Sequence, residues 1–218
     1  MAVDFLTAEQ KAQYGQYAGE PNEIQLARYF HLDKTDLAFI GLRRGEHNRF
    51  GFALQLTSVR FLGTFLIDLL LIPLNVQIFV ANQLSINDIT ILNKYAKRDT
   101  TKREHTALIR EYYGFRDFAE WPWVFRLSRL LYAKAWINNE RPSLLFEFSI
   151  TWLIQNKIVL PGESSLSRLI SEIRERSAQR LWKRLSFLPA NKKLNLKPFC
   201  KYPKENARLA LITIEKGL

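Results

Sequence analysis

Residues 26–61 read LARYFHLDKTDLAFIGLRRGEHNRFGFALQLTSVRF, and this stretch indicates the fold. Apolar residues recur in it every three or four positions, which is the spacing of one face of an α-helix. Asp33 stands where it can cap a helix running to Arg43, and Gly45 separates that helix from a longer one that ends near Phe61. The stretch therefore predicts consecutive helices joined by a tight, basic turn.

A later part of the chain repeats this pattern. Sliding the sequence by 54 residues, so that Phe30 falls on Leu84, retains both the apolar positions and the basic ones. The other superposed pairs include Leu32 with Ile86, Leu37 with Ile91, Arg43-Arg44 with Lys97-Arg98, Arg49 with Arg103, and Phe61 with Phe115. Because helix, tight turn, basic pair and helix recur in the same order, the sequence predicts two related three-helix units.

The whole chain is predicted to be all-α, because helical periodicity extends over nearly all of it. Further helices are expected near 8–18, 22–30, 120–138 and 142–157 and from Ser164 to Leu188, with capping boxes at Thr7 with Gln10 and at Thr101 with Glu104. The predicted segments are a first helix-turn-helix module at 1–62, an apolar linker at 63–72, a second helix-turn-helix module at 73–117, a third helical module at 118–188, and a basic, weakly ordered tail at 189–218.

The charge balance favours a polyanionic partner. Lys and Arg number 32 against 21 Asp and Glu, which gives a net charge of +11 and favours nucleic acid. The single cysteine, Cys200, excludes an intramolecular disulfide. His31, His47 and His105 match no metal-ligand spacing and are expected to be polar surface or turn residues. We expect no metal, no cofactor and no small-molecule substrate.

Two basic segments carry the predicted DNA contacts: the first basic turn, residues 43–49, and the second basic turn, residues 97–105. Each lies where a helix is expected to begin, and a recognition helix presents its first residues to base edges in the major groove. Arg and Asn can pair with guanine and adenine, whereas Lys neutralises phosphate. The candidates there are Arg43, Arg44, His47, Asn48, Arg49, Lys97, Arg98, Thr100, Thr101, Lys102, Arg103 and His105.

The last predicted helix adds Arg168, Arg174, Arg176, Arg180 and Arg184 as candidate phosphate contacts. Like charges four residues apart repel one another, so a polyanion along this face would relieve the repulsion. A solvated helix face and solvated helix starts remain the alternatives for these basic groups. Tryptophans 121, 123, 136, 152 and 182 are expected in the core. A membrane span over residues 61–81 is disfavoured, because Pro73 divides the segment.

Several segments resemble the amino-terminal region of the replicative transposases of bacterial class II transposons, the Tn3 family. The segments are VDFLT at 3–7, QLARYF at 25–30, HNRFGFALQL at 47–56, RFLGTF at 60–65, YGFRDF at 113–118, ERPS at 140–143 and LISEIRER at 169–176. This resemblance implies tandem helical modules similar to those of centromere protein B, which bind the terminal inverted repeats of the element as double-stranded DNA. It also implies a ribonuclease-H-like catalytic domain, to which no residue of this chain corresponds.

The sequence therefore predicts a DNA-binding part of a transposase that does not itself cut or join strands. It is expected in the bacterial cytoplasm, associated with the nucleoid, and any homodimer would form only through the missing domains. Two alternatives stay open. One is a short regulator that competes with full-length transposase, and the other is a helical partner-binding or membrane-associated protein that uses residues 61–81.

Overall fold

The computed structural model describes residues 5–138 and 140–187, so the tail predicted at 189–218 lies outside the described residues. The regular elements of this part are helical, as predicted. They are α1 (Ala8–Gln13), α2 (Glu23–Gln25, continued by a π-helical turn at Leu26–Phe30), α3 (Lys34–Gly41), α4 (Glu46–Leu62), α5 (Leu74–Gln83), α6 (Leu92–Ala96), α7 (Asp99–Tyr113), α8 (Trp123–Asn138), α9 (Pro142–Gln155) and α10 (Glu163–Ser186). Two short 3-10 turns lie at Leu69–Leu71 and Ile89–Ile91.

Local hydrogen bonds fix several helix starts where the sequence placed them. Thr7 forms the expected capping box with Gln10, and the side chain of Asp33 accepts a hydrogen bond from the backbone of Asp36 at the start of α3. Two predicted caps are wrong. Thr101 already lies inside α7, which begins at Asp99. Likewise, α10 begins one residue before Ser164, and Gly162 provides no side-chain cap.

The first hydrophobic core surrounds α4. Residues 50–59 of this helix are all buried, as expected for a helix that is apolar or small on every side. Its neighbours include the π-helical turn, α5, α6 and α7. The core extends from Phe30 to Ile109, so side chains from both predicted modules pack together. The division at 63–72 into separate modules stays a prediction.

The second hydrophobic core joins α8, α9 and α10. Its most buried members include Leu127 and Leu131 from α8, Leu145 from α9, and Leu166 and Ile170 from α10. The amino-terminal Leu6 also packs into it. A short parallel bridge between Arg116 and Ile158, with backbone hydrogen bonds of 2.9 Å on each side, connects this core with the end of the first.

The apolar segment predicted as a linker contributes to the first core. Leu66, Leu69 and Ile72 are nearly inaccessible to solvent and are followed by the buried Val76 of α5. Ile67, Leu70 and Leu71 of the same segment are exposed, so the predicted buried connection into a core helix describes only part of the segment. No helix in residues 5–138 or 140–187 is long and apolar enough to cross a membrane.

An ion pair between the partly exposed Arg60 and the buried Asp36 fixes α3, α4 and α7 relative to one another. Both terminal nitrogens of Arg60 donate to the carboxylate of Asp36, at 2.8 and 2.7 Å, and the hydroxyl of Tyr113 donates to the same carboxylate at 2.7 Å. The Arg60 guanidinium also lies over the Tyr113 ring. Because α4 and α7 begin at the two basic turns, this network helps to set the relative position of those turns.

Candidate nucleic-acid interface

The two basic turns lie beside each other, although 54 residues separate corresponding positions in the sequence. Gly51 of α4 allows the contact, because a Cβ atom there would overlap the ring of Tyr95 in α6. This close approach brings the start of α4 next to the end of α6. Lys94 and Arg98 consequently stand near enough to His47 for their charges to affect its pKa. The fold thus joins the two predicted sites on one side of the first core.

His47 is placed to be neutral at physiological pH. Burial lowers the pKa of its imidazole, and the positive charges of Lys94 and Arg98 lower it further. A neutral imidazole can both donate and accept a hydrogen bond, whereas a protonated ring can only donate. The positive charge of this surface therefore comes from its lysines and arginines.

The first basic turn contains a cluster of polar atoms without protein partners. The Nε atoms of Arg43 and Arg49, Nε2 of His47 and Oδ1 of Asn48 have no hydrogen-bond partner in the part of the chain that the structure describes. Their side chains are nevertheless held in place: Arg43 lies over the rings of Phe39 and Phe52, and Asn48 donates to the carbonyl of Arg44 at 2.8 Å. Since buried polar groups usually have partners, this cluster is suited to bind a hydrogen-bonding ligand.

The two helices that follow the basic turns differ in accessibility. In α4 residues 50–59 are buried, so only its first turn and the partly exposed Arg60 and Phe61 near its end reach the surface. In α7 the buried residues are His105 and Ile109, and Arg103 is exposed one turn after the helix begins. A helix must be free along one face to enter a major groove. Of the two, α7 fits that requirement and α4 does not.

The remaining candidates of the second basic turn have different surroundings. Lys97, Arg98 and Thr100 are exposed, and Thr101 is half-buried. Lys102 lies 2.7 Å from the carboxylate of Asp99, so its charge is already paired. The hydrogen bond from Lys102, and after it the charge of Lys102, lowers the pKa of Asp99. Lys97, Arg98 and Arg103 are therefore the basic groups of this turn best placed to meet phosphate or base edges.

His105 is not a surface residue, and that expectation is wrong. Its ring is 6% exposed and lies between Phe52 and Tyr95, with Nδ1 2.9 Å from the Tyr95 hydroxyl. Burial, with the nearby charge of Arg43 as a second cause, lowers the pKa of His105 to about 4. The imidazole is neutral at pH 7 and connects α6 to α7, so it positions the second basic turn from within the core.

The arginines of α10 occupy the other part of the fold. Arg168 and Arg176 lie 4.0 and 3.9 Å from the carboxylate of Glu172, and Arg184 lies over the ring of Trp136. Arg180 is exposed and Arg174 is half-buried. These side chains project from a helix of the second core, whereas the basic turns border the first. A shared path along DNA for the two sets stays a prediction.

An aromatic groove in the second core was missed by the sequence analysis. It has a volume of about 680 Å³ and is lined by residues of the 119–122 loop, α8 and α10, among them Trp121, Phe125, Arg129 and Arg176. Trp121 was expected in the core, but it is 79% exposed and stacks on Phe125. Trp123 and Trp152 do pack against the second core, as expected. Apolar spacing alone did not distinguish these cases.

A metal centre finds no support in the described ranges 5–138 and 140–187. No group of three or more His, Cys, Asp or Glu residues there is close enough to hold a metal ion. His31, His47 and His105 occupy separate environments, which are exposed, half-buried and buried respectively.

Comparison with known proteins identifies transposases as relatives. The transposase for transposon gamma-delta of Escherichia coli K12 is 64% identical over 189 residues, which make up 87% of this chain and 19% of that protein. The transposase for transposon Tn1546 of Enterococcus faecium is 32% identical over 185 residues, 84% of this chain and 18% of that protein. The transposase for transposon Tn501 of Pseudomonas aeruginosa is 33% identical over 169 residues, 75% of this chain and 16% of that protein.

The chain therefore spans less than a fifth of the length of these relatives. The resemblance to transposases of the Tn3 family, which the sequence motifs indicated, is confirmed. Residues 5–173 match a family described as a domain of unknown function, DUF4158. Because that match includes most of the chain, the protein belongs to the DUF4158 family and is homologous to a part of Tn3-family transposases.

Proposed function

We propose that the chain binds duplex DNA sequence-specifically at the terminal inverted repeats of a transposon, as the amino-terminal part of a replicative transposase in the bacterial cytoplasm. The observation that supports this most is the joining of the two basic turns on one side of the first core. The unpartnered polar atoms of the first turn add hydrogen-bonding capacity to that positive surface. The relatives named as transposases make DNA the expected polyanion.

The two basic turns would make different contacts with the DNA. The exposed start of α7 enters the major groove, where Arg103 can donate two hydrogen bonds to guanine. Lys97 and Arg98 precede that helix and neutralise phosphates, as do Arg43 and Arg44 across the surface. The first turn of α4 supplies Asn48 and Arg49 at a second contact, while the rest of α4 supports both from inside.

Binding to duplex DNA is expected to weaken steeply as salt rises. Contacts with roughly six phosphates give a slope of about −5 in a plot of log affinity against log salt concentration. Fluorescence anisotropy of a labelled terminal repeat, titrated with the 218-residue chain at several salt concentrations, measures the slope. A scrambled duplex of equal length is the control. A slope near zero, or equal affinity for the two duplexes at moderate salt, would contradict specific DNA binding.

We also expect the 218-residue chain alone to perform no cleavage or strand transfer with magnesium. Two-metal strand transfer requires acidic ligands arranged around both ions, and the resemblance assigns those ligands to a part of transposases that has no counterpart in this sequence. Incubation of the purified chain with transposon ends and magnesium, followed by denaturing electrophoresis, measures this. Nicks at a transposon end that persist through further purification would refute the expectation.

A further inference from the structure

The aromatic groove combines an exposed flat ring with positive charge. The rings of Trp121 and Phe125 are nearly parallel, with an interplanar angle of 27° and centroids 5.3 Å apart, and Trp121 is 79% exposed. The guanidinium of Arg129 lies 5.8 Å from the centroid of Phe125, and Arg176 lines the groove from α10. Because Trp121 and Phe125 are exposed side by side and contiguous apolar patches commonly mark binding sites, this arrangement suggests a surface that is covered when a ligand binds.

We propose that this groove binds single-stranded nucleic acid, with one unpaired base stacked on Trp121 and the adjoining phosphates held by Arg129 and Arg176. This site is separate from the duplex surface of the basic turns, which borders the first core. Stacking of bases on aromatic side chains, together with a positively charged groove along the backbone, is how single strands are bound without sequence preference. The volume of about 680 Å³ is ample for a nucleobase.

The chemistry of the lining favours a base over other occupants. The lining includes the aromatic side chains of Trp121, Phe125 and Tyr132, which offer flat apolar surface to a base. An intact duplex keeps its bases stacked inside and cannot present one to Trp121. An unpaired strand presents base faces and phosphates together, which matches a groove lined by aromatic rings and two arginines.

The charge around the groove supports a polyanion. Arg126 is exposed on α8, and Arg180 lies exposed one turn beyond Arg176 on α10. Glu120 lines the groove, and Glu172 lies 3.9 Å from Arg176 and partly neutralises it. The groove itself is lined by two arginines, Arg129 and Arg176, and by one carboxylate, that of Glu120. An acidic peptide would satisfy the arginines but would leave the stacking face of Trp121 without a matching partner.

Binding of labelled oligo(dT) of about ten nucleotides to the 218-residue chain tests the proposal by fluorescence anisotropy. We expect Trp121→Ala to weaken this binding roughly tenfold or more, because the stacking contact is lost. Trp121→Phe keeps an aromatic face and is expected to restore most of the affinity. Ile137→Ala removes an equally exposed apolar side chain of α8 outside the groove and is expected to change nothing.

An abasic oligonucleotide of the same length carries the same phosphates without bases. It is expected to bind the unaltered chain more weakly than oligo(dT) does. Its affinity is expected to be the same for the Trp121→Ala variant as for the unaltered chain. If Trp121→Ala lowers the affinity for oligo(dT) and for the abasic oligonucleotide equally, or does not lower the affinity for oligo(dT), the stacking proposal is overturned. Competition by poly-glutamate as effective as by oligo(dT) would also overturn it in favour of an acidic protein partner. Trp121→Ala leaves duplex-repeat binding unchanged, so failure of the duplex proposal remains distinguishable.

Discussion

Replacing Arg60 with methionine is expected to lower the free energy of unfolding by about 3 kcal/mol, the lower end of the usual loss when one partner of a buried ion pair is removed, because the Arg60 side chain is 25% exposed. The Asp36 side chain is 2% exposed, so it would retain its negative charge in a nearly dry position with only the Tyr113 hydroxyl and the backbone N–H of Asp33 as donors. Methionine preserves most of the apolar packing of the arginine stem, which isolates the loss of the guanidinium. Urea unfolding followed by circular dichroism measures the change.

The pH dependence of this loss identifies its cause. Burial alone raises the pKa of Asp36, but the hydrogen bonds from Arg60 and Tyr113 and the charge of Arg60 outweigh burial and lower the pKa overall. A carboxyl with a lowered folded-state pKa adds stability above its unfolded pKa, and that stability is lost as pH falls through the folded-state pKa. Without Arg60, burial raises the pKa and Asp36 becomes easier to protonate. The variant and the unaltered chain are therefore expected to differ most near neutral pH and less in acid.

Arg116→Met provides the matched control for Arg60→Met. Arg116 is exposed, and the hydrogen bonds at its bridge to Ile158 come from its backbone, which the substitution leaves intact. We expect a change within about 0.5 kcal/mol at every pH, as for most surface substitutions. A loss of less than 1 kcal/mol in Arg60→Met, or a loss independent of pH, would mean that the Asp36 network does not hold α3, α4 and α7 together.

The elements that the sequence predicted best are those fixed by nearby residues. The capping boxes at Thr7 and Asp33 require partners only three residues away, and α9 begins at Pro142 as expected. Where two nearby residues could both end a helix, the sequence alone did not show which one does. The helix expected at 8–18 ends at Gln13, because the chain turns at Gly15 with a positive φ of 67°. The helix was expected to stop at Gly19, and the sequence did not distinguish between Gly15 and Gly19 as the stop.

Contacts between distant segments were not predictable in the same way. The pairing of Asp36 with Arg60 and Tyr113, and of Tyr95 with His105, depends on how helices pack and has no signature in spacing. The same applies to Trp121, because apolar residues at helical spacing do not reveal which ring faces solvent. From the sequence repeat alone, α4 and α7 were equivalent candidates for the helix that contacts DNA. Burial then distinguished them, since α4 is enclosed and α7 keeps an exposed face.

The predicted repeat nevertheless agrees with the order of the helices. Both α4 and α7 follow a basic pair, and both end at a glycine in the left-handed conformation, Gly63 and Gly114, whose backbone N–H bonds back into the last turn. The two units differ in burial because α4 lies at the centre of one shared core. A repeat whose copies pack together can thus leave one copy of a helix free to touch a ligand while the other supports it.

Arg103→Ala is expected to cost about 1–3 kcal/mol of binding free energy on the terminal repeat, and to relax base preference at the position it reads. Arg103 is exposed one turn after α7 begins, where a side chain can reach base edges. Lys97 is the matched comparison, since it is exposed at the end of α6, before α7 begins. Lys97→Ala is expected to weaken binding to all DNA sequences alike. It should also reduce the magnitude of the slope of log affinity against log salt concentration by about one.

Binding of each variant to repeat and scrambled duplexes at several salt concentrations separates the two roles, with circular dichroism to confirm folding. Both variants are expected to remain folded, because neither side chain belongs to the first core. Equal loss of affinity on both duplexes with Arg103→Ala would mean that α7 does not read bases. Recognition would then move to the preceding segment, where Thr90, Asn93 and Lys94 are exposed and where Lys94 already stands close to His47 of the first basic turn.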